Sequence, residues 1–488
     1  MESKRINRIA LVSFIIIIGL AKFGNFNKKS NNESEINTDS RNAINFNGNS
    51  SREPGRYQEL GKLTQIVKEV KNEQSVVFND PAMVSKWDLE KTDALKAWSI
   101  SQGSRQIVVA VIDTGCDVNH EDLKSNIWNN PGETGLDPIG KNKSNNGVDD
   151  DENGFVDDIH GWNFVSTNNK LDDNHGHGTH VAGIIGAEGG NTRGISGIAP
   201  KVSIMCLKYY DPSTPTDNLK NTIAAIKYVQ KLNTLWEKRR QPFRIHIVNY
   251  SGGGLEYSQD EKDSIKTLEA QGVLFVAAAG NEKSNSDRKK YYPADYGLSN
   301  IISVTAIDPN EQVLASSNYG VETVDIAAPG QAILSTLPNN SYGLLTGTSQ
   351  ATAFVSGAAS VVMAHKGNFS ATDVKKYLLS TGDSQISLLN KTGTSRKLNL
   401  YKALTLFDSG EGVTGVKAGN LTDAQRFSPD SELFKATSSA SGIPGQLNTD
   451  SRSPSNNTMN QFGKNLMDSV KKGSGTEEID FASKKPVQ

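Results

Sequence analysis

The sequence predicts an α/β fold with three layers (αβα), in which helices cover both faces of a mainly parallel, twisted β-sheet. Two observations support this prediction. The run Gln106–Ile112 is apolar on both faces, which is typical of a parallel strand buried between two layers of helices. Further apolar, β-rich runs alternate with helical segments along the chain, as they do in βαβ units.

The other elements follow from the same patterns. Four more strands are predicted at Val202–Lys208, Ile245–Tyr250, Val273–Ala279 and Ile301–Ile307. Helices are predicted at Gly178–Gly186, Asn218–Trp236, Asp260–Gln271, Ala351–Ala364, Thr372–Ser380 and Leu398–Thr405. The helix at Asn218 is amphipathic, whereas the helix at Ala351 consists of small and apolar residues. Small side chains predict close packing of this helix against its neighbours.

The N-terminal sequence has the pattern expected of an export signal. Basic residues within Lys4–Arg8 precede the apolar run Ile9–Ala21, which is short for a membrane span. We therefore expect residues 1–24 to be a signal peptide or an uncleaved N-terminal anchor. The protein is accordingly predicted to be secreted or associated with the cell envelope, with membrane contact only through such an anchor.

By composition, the rest of the chain of 488 residues divides into three regions. Residues 25–78 are rich in Asn, Ser, Lys and Glu, and predict a low-complexity linker or pro-segment. Residues 79–407 hold the strand and helix signals and form the predicted folded domain. Residues 408–488 are dominated by small and polar residues, and predict a disordered polar tail.

Charge and cysteine content exclude several classes of protein. The net charge of −2 gives no indication of a nucleic-acid partner. The only two cysteines, Cys116 and Cys206, lie in apolar runs and are interpreted as buried thiols, with a single disulfide as the alternative. We expect a monomer without a disulfide framework.

Three short segments contain residues suited to nucleophilic catalysis. Asp113 ends the first strong strand, where a carboxylate needs a partner for its charge, although Asp-Thr-Gly also suits a plain turn. His177 lies where a helix begins, in a segment that also holds His175 and His180. Ser349 lies at the start of the small-residue helix, where it is either a nucleophile or only a helix cap. The three histidines also permit zinc ligation, but two glycines interrupt the spacing.

The segments Val111–Gly115, His177–Gly183 and Gly347–Thr352 resemble the three signatures of the subtilisin-like serine proteases, in the order Asp, His, Ser. The resemblance extends over residues 79–407, and the segment from Asn79 to Trp98 looks like the thermitase-type branch. It implies a serine endopeptidase that cleaves polypeptides through an acyl-enzyme, with Asp113, His177 and Ser349 as its catalytic triad. The rival hypothesis is a catalytically idle protein of the same fold that acts in surface binding.

Two further segments resemble parts of the same site. Asn281, which follows a buried strand, is similar to the family asparagine that donates to the oxyanion, although an asparagine there also suits turn capping. Ser251, Gly252 and Gly253 resemble the edge along which a substrate peptide pairs as an added strand, although they also suit a flexible turn.

Calcium is the expected ion. Asp149, Asp151, Asn153 and Asp157 offer oxygen ligands at alternate positions around Gly154, like the first half of an EF-hand loop. The alternative is a solvated acidic turn. The family resemblance also implies that Asp122 and Asn191 hold a second calcium ion.

The chain departs from the family pattern behind the nucleophile and at the substrate pocket. Gln350, Ala353 and Phe354 replace the usual Met and Pro-His pair, and none of the three is an acid, base or nucleophile. Tyr291 falls near the expected floor of the primary specificity pocket. We expect it to shorten this pocket and to disfavour large aromatic residues in the substrate.

Overall fold

A nine-stranded sheet forms the centre of the described chain. The structure is a computed structural model that describes residues 76, 78–214 and 216–406. The predicted signal peptide or anchor, the linker up to residue 75 and the polar tail therefore lie outside the described residues. Among those that are described, no helix is long and apolar enough to cross a membrane.

The strands of the sheet run in the spatial order β10-β11-β7-β6-β5-β4-β1-β3-β2 and are parallel, except for the antiparallel pair β10 and β11. Two further strands, β8 and β9, form a separate hairpin. The bounds are β1 Gly103–Asp113, β2 Gly161–Asn163, β3 Lys201–Lys208, β4 Ile245–Tyr250, β5 Leu274–Ala278, β6 Ile301–Ile307, β7 Ile326–Pro329, β8 Ile333–Leu337, β9 Ser341–Leu345, β10 Asp383–Ser384 and β11 Arg396–Lys397.

Eight α-helices accompany these strands in the described residues. They are α1 Trp87–Lys91, α2 Ala94–Ala97, α3 His177–Gly186, α4 Asn218–Lys238, α5 Gln259–Ala270, α6 Thr348–Lys366, α7 Ala371–Thr381 and α8 Leu400–Thr405. Short 3₁₀ helices occur at Met83–Ser85, Pro131–Glu133, Lys143–Asn145 and Ile386–Leu388.

Alternate residues of β1 contact the two helix layers. Val109 and Val111 belong to the core that contains α3 and α6, whereas Ala110 and Ile112 pack with α4 and α5. Every residue from Ile107 to Asp113 is therefore buried, although the strand has two faces. The predicted three-layer αβα fold is confirmed.

The helix α6 lies in the core, and sixteen of its residues are buried. Gly357 allows it to approach α3 closely, because a Cβ at this position would lie 2.3 Å from a side-chain atom of Ile198 and 3.0 Å from the carbonyl oxygen of Ile185. The close packing that the small residues predict is confirmed, and it fixes the N-terminus of α6 at the edge of the sheet.

The elements that the sequence predicts are confirmed, with ends that differ by a few residues. The strands β2, β7, β10 and β11 and the hairpin β8–β9 are not among the predictions. The strands β2, β7, β10 and β11 have only two to four residues, and β9 is interrupted by Gly343. These strands therefore carry no long apolar or alternating pattern.

Candidate active site

Asp113, His177 and Ser349 each lie where a strand ends or a helix begins at the carboxyl edge of the sheet. Asp113 is the last residue of β1, His177 the first of α3, and Ser349 the second of α6. Gly178 brings α3 against the end of β1, since a Cβ there would lie 2.1 Å from the carbonyl oxygen of Gly115 and 3.1 Å from the Cβ of Asp113. This approach places the His177 ring beside the Asp113 carboxylate.

Asp113 and His177 are joined by a short hydrogen bond of 2.7 Å between Oδ1 and Nδ1. The same carboxylate oxygen accepts the backbone N–H of Thr114 at 2.8 Å. Burial lowers the pKa of His177, but the charge of Asp113 and the hydrogen bond to it raise the pKa more, so that it lies above the ordinary value. His177 is thus oriented by a carboxylate that also stabilises its protonated form.

Asp173 shapes the turn that leads into α3, and sequence reasoning missed it. Its carboxylate accepts the Thr114 hydroxyl and the Gly176 N–H at 2.8 Å each, and the backbone N–H and hydroxyl of Thr179 at 2.8 and 2.7 Å. These bonds hold its pKa below the ordinary value although burial raises it. The sequence signal that could have identified Asp173 is an Asp shortly before a predicted helix, a position that favours capping.

Ser349 is 5% exposed, and two hydrogen bonds join it to Ser251. The Ser349 hydroxyl donates to the Ser251 carbonyl at 2.9 Å, and the Ser251 hydroxyl donates to the Ser349 carbonyl at 3.0 Å. Behind them, the Ser356 hydroxyl donates to Asn249 Oδ1 at 2.8 Å, and Asn249 Nδ2 donates to the Ser251 hydroxyl at 3.0 Å. A buried polar chain therefore connects the interior of α6 to the predicted nucleophile.

Asn281 faces the first residue of α6. Its Oδ1 accepts the backbone N–H of Thr348 at 3.0 Å and the Thr348 hydroxyl at 3.2 Å. Because the oxygen end of the amide is held in this way, the Nδ2 end is directed away from Thr348. Asn281 itself is exposed, so a substrate oxygen can reach its amide hydrogens.

The predicted substrate edge follows β4. Ser251 is buried, while Gly252 and Gly253 continue toward Gly254, which exchanges two backbone hydrogen bonds with Tyr292 at 2.7 and 2.8 Å. The segment that follows β4 therefore pairs at Gly254 with the segment around Tyr292. Backbone groups of such a segment suit pairing with an added peptide strand.

The three histidines do not converge on one point. The ring of His180 is buried and its Nε2 lies 3.0 Å from the Ile333 carbonyl and 3.1 Å from the Gly343 carbonyl, which belong to the hairpin β8–β9. Burial lowers the pKa of His180 to about 3, so the ring is neutral and donates from Nε2. Among the described residues, the group of side chains placed to hold a metal contains no histidine. The zinc alternative therefore has no geometric support.

Three carboxylates lie together in the segment between β1 and β2. Ligand atoms of Glu133, Asp149 and Asp151 all lie within 4.8 Å of one another. Glu133 Oε2 is buried and has no hydrogen-bond partner within the described part of the chain. Burial, with the neighbouring charges of Asp158 and Asp151, raises the pKa of Glu133 to about 7. These carboxylates repel one another, and a cation among them would relieve the repulsion.

The structure brings Asp149 and Asp151 together and adds Glu133, which sequence reasoning missed. Asn153 lies beside them, but its Nδ2 donates to Asp158 Oδ2 at 2.9 Å. Asp157 accepts the Gly147 N–H at 3.1 Å and lies outside the group of three carboxylates.

Asp122 and Asn191 are in direct contact, with Asn191 Nδ2 donating to Asp122 Oδ1 at 2.7 Å. Asp122 Oδ2 accepts the Ile195 N–H at 2.9 Å, and burial raises the pKa of Asp122 to about 7. Nearby, Asp80 accepts the N–H groups of Gly190 and Thr192 at 2.8 and 3.0 Å. Both oxygens of Asp122 thus have protein donors in this arrangement.

The remaining predicted positions are internal. Cys116 and Cys206 are both buried free thiols, which confirms the first interpretation and not the disulfide. Gln350, Ala353 and Phe354 are buried in the same helix as Ser349, and Lys86 Nζ lies 5.7 Å from the centre of the Phe354 ring. Tyr291 is 8% exposed and lies between the segments that follow β4 and β5.

Comparison with known proteins adds the family context. Residues 104–405 match the model of the subtilase family, Peptidase_S8. The chain is 34% identical to the major intracellular serine protease of Bacillus subtilis (strain 168) over 56% of its length and 73% of that protein. It is 31% identical to thermitase of Thermoactinomyces vulgaris over 67% of its length and 98% of thermitase. It is 30% identical to subtilisin-like protease 2 of Plasmodium falciparum (isolate 3D7), of which it spans only 20%.

Proposed function

The chain belongs to the subtilase family of serine endopeptidases, and from this membership we propose that Asp113, His177 and Ser349 are its catalytic triad. The observation that carries the proposal is the 2.7 Å bond between Asp113 and His177 at the edge of the sheet where Ser349 begins α6. His177 takes the proton of the Ser349 hydroxyl as the oxygen attacks the peptide carbonyl, and later gives it to the leaving amine. Asp113 holds the ring with Nδ1 protonated and stabilises the imidazolium.

The attack requires the Ser349 hydroxyl to leave the Ser251 carbonyl, because one hydroxyl hydrogen serves one acceptor at a time. A peptide aligned along Ser251–Gly253 would place its carbonyl carbon against Ser349 and its oxygen beside the Asn281 amide. The amide hydrogens then stabilise the charge that develops on this oxygen. Water subsequently hydrolyses the acyl-enzyme through the same base.

Calcium at the acidic segment is part of the proposal. The orphaned Glu133 Oε2 and the two adjacent carboxylates, of Asp149 and Asp151, fit a hard cation that prefers oxygen ligands. Glu133, Asp149 and Asp151 would hold the ion, whose chemical contribution is to neutralise these charges and stabilise the segment. Asp122 and Asn191 have weaker support, because they belong to no group of three adjacent ligands among the described residues and Asn191 directs its Nδ2, not its oxygen, toward Asp122. The stoichiometry of calcium binding decides whether they hold a second ion.

Export through residues 1–24 is likewise proposed, and its support is the basic segment followed by a short apolar run. Mass spectrometry of the N-terminus, on protein from the medium, the membrane fraction and the cytoplasm, tests it. A new terminus near residue 24 supports a cleaved signal peptide. An intact terminus in the membrane fraction supports an anchor, and an intact terminus in the cytoplasm overturns export.

The Ser349→Ala variant tests the triad. We expect it to lose peptide hydrolysis and labelling by a serine-directed phosphonate, while calcium binding and the melting temperature stay near those of the wild type. Ser360→Ala is a suitable control, because Ser360 lies on the same helix with its hydroxyl bonded to the Gly357 carbonyl at 2.7 Å. Undiminished hydrolysis by Ser349→Ala would refute the assignment. A wild type that cannot be labelled and does not cleave peptides would favour the idle binding protein.

A further inference from the structure

The space beside the nucleophile lies between two neighbouring strand ends. β4 and β5 are adjacent and parallel, with Tyr250 opposite Ala277, so the segments that follow them leave the sheet at the same edge. One of these segments begins with Ser251, which is bonded to Ser349, and the other ends with Asn281. A substrate side chain next to the scissile carbonyl would enter the gap between them.

The ring of Tyr291 fills this gap. A Cβ at Gly253, in the first segment, would lie 2.5 Å from Tyr291 Cε1, and a Cβ at Gly280, in the second, would lie 3.0 Å from Tyr291 Cδ2. Both glycines also have positive φ angles, of 150° and 102°. The ring is therefore enclosed by bare backbone on both sides, and only glycine permits this approach.

Tyr291 is also held firmly in place. Its N–H donates to Asp295 Oδ2 at 2.8 Å, and its carbonyl accepts the Asp295 N–H at 3.0 Å. The next residue, Tyr292, pairs with Gly254 through two backbone hydrogen bonds of 2.7 and 2.8 Å. These bonds fix the backbone that carries the ring, and rotation of the ring out of the gap would expose a buried aromatic side chain, so substrate binding does not displace it readily.

We propose that Tyr291 closes the primary specificity pocket, so that the enzyme cleaves after residues with short side chains such as Gly, Ala and Ser. The inference rests on the proposed function, because the gap is a substrate pocket only if Ser349 is the nucleophile and Asn281 faces the carbonyl oxygen. A large aromatic side chain at this substrate position would require the volume that Tyr291 occupies.

A peptide series that differs only in the residue before the scissile bond tests the proposal. For the wild type we expect kcat/KM for Ala to exceed kcat/KM for Phe by about 100-fold, since each mismatched group in such a pocket changes it by about 10–200-fold. Tyr291→Gly should raise kcat/KM for Phe by a similar factor. Tyr291→Phe keeps the ring and should keep the preference for Ala. Tyr257→Gly removes a ring that is 48% exposed and should leave the order unchanged.

Phosphonate labelling of Ser349 distinguishes a failure of the proposed pocket from a failure of the proposed nucleophile. A labelled wild type that cleaves best after Phe overturns the role of Tyr291 alone, and so does a labelled Tyr291→Gly variant that gains nothing with Phe. If Tyr291→Gly does not fold, the wild-type profile decides by itself. A wild type that prefers Ala but whose Ser349 is not labelled overturns the nucleophile instead.

Discussion

Ser251 and Ser349 hold each other through two hydrogen bonds, in which the hydroxyl of each residue donates to the backbone carbonyl of the other at 3.0 and 2.9 Å. One bond fixes the backbone at the start of α6, and the other fixes the resting position of the proposed nucleophile. The two residues are 98 positions apart in the chain. The relationship therefore exists only because α6 packs across the end of β4.

Ser251→Ala removes the first of these bonds and leaves the second intact. We expect kcat to fall about fivefold with KM nearly unchanged, because a lost hydrogen bond of about 1 kcal/mol would loosen the position from which Ser349 attacks. Steady-state kinetics on a peptide substrate checks this. Ser299→Ala, at an exposed site bonded to Glu269, is the control. A rise in KM at constant kcat would instead place the Ser251 hydroxyl in substrate binding.

The pH dependence of kcat/KM tests the proposed role of His177, because a histidine that acts as a base must be neutral. Since Asp113 raises the pKa of His177, activity should increase with pH through a midpoint above about 6.5. Asp113→Asn removes the charge that raises the pKa of His177, while burial, which lowers this pKa, remains. The midpoint should therefore move below that of the wild type, and kcat should fall by about 10⁴.

The exposed neighbour Asp172 provides the control for this experiment, and Asp172→Asn should keep the wild-type midpoint. An unchanged midpoint in Asp113→Asn would contradict the view that the carboxylate sets the pKa of His177.

Asn281→Leu removes the proposed oxyanion donor but keeps the approximate volume of the side chain. We expect kcat to fall by about 10²–10³, a scale taken from the corresponding asparagine of subtilisin, with little change in KM. The reason is that the charge on the carbonyl oxygen exists only in the transition state. Asn310→Leu, at an exposed position away from the site, is the control. A loss confined to KM would assign Asn281 to ground-state binding.

Calcium removal should destabilise the acidic segment. A chelator should lower the melting temperature of the wild type by several degrees, because an ion at about 100 times its dissociation constant stabilises the folded state by about 2.7 kcal/mol. Glu133→Gln should respond weakly to the chelator. In its presence, this variant should be at least as stable as the wild type, since it carries one buried charge fewer.

Glu152→Gln is the matched control for Glu133→Gln, because Glu152 lies in the same segment with a side chain that is 85% exposed. It should respond to the chelator like the wild type. Calorimetric titration in the Ser349→Ala background, which avoids self-digestion, counts the ions. An equal response of wild type and Glu133→Gln would remove Glu133 from the proposed ligands.

The buried ion pair between Lys86 and Asp88 should be sensitive to the loss of its cation. Lys86 Nζ lies 3.0 Å from Asp88 Oδ1 and donates to the Leu334 carbonyl at 2.9 Å. Lys86→Met leaves a buried carboxylate without its cation and should lower the free energy of unfolding by about 3–5 kcal/mol. Urea denaturation of the Ser349→Ala background measures it.

Burial raises the pKa of Asp88, and removal of Lys86 removes an interaction that lowers it. The loss of stability in Lys86→Met should therefore be largest above this pKa and should shrink as the pH falls and Asp88 becomes protonated. Lys91→Met, whose pair with Glu311 is partly exposed, should change stability by less than about 1 kcal/mol. A pH-independent loss in Lys86→Met would indicate lost packing as its main cause.

The long elements and the triad candidates could be predicted because their signals are local. The strand β1 is a continuous apolar run, and Asp113, His177 and Ser349 each lie at the end of a strand or the start of a helix. In a parallel sheet covered by helices, such positions lie together at the carboxyl edge, where ligands bind. The short strands β2, β7, β10 and β11 could not be predicted, because they depend on pairing with other strands of the sheet. The hairpin β8–β9 is local, but its strands are short and Gly343 interrupts the second of them.

The sequence by itself determined the layered fold, the order of the catalytic segments and the presence of an acidic segment, since each depends on residues that are close in the chain. Only the tertiary structure decided which distant groups meet. It places Glu133 with Asp149 and Asp151, closes Ser251 onto Ser349, and encloses the Tyr291 ring between Gly253 and Gly280. The physical reason is that electrostatic repulsion, hydrogen bonding and steric exclusion act over a few ångströms of space, and neighbourhood in space is set by how strands and helices pack.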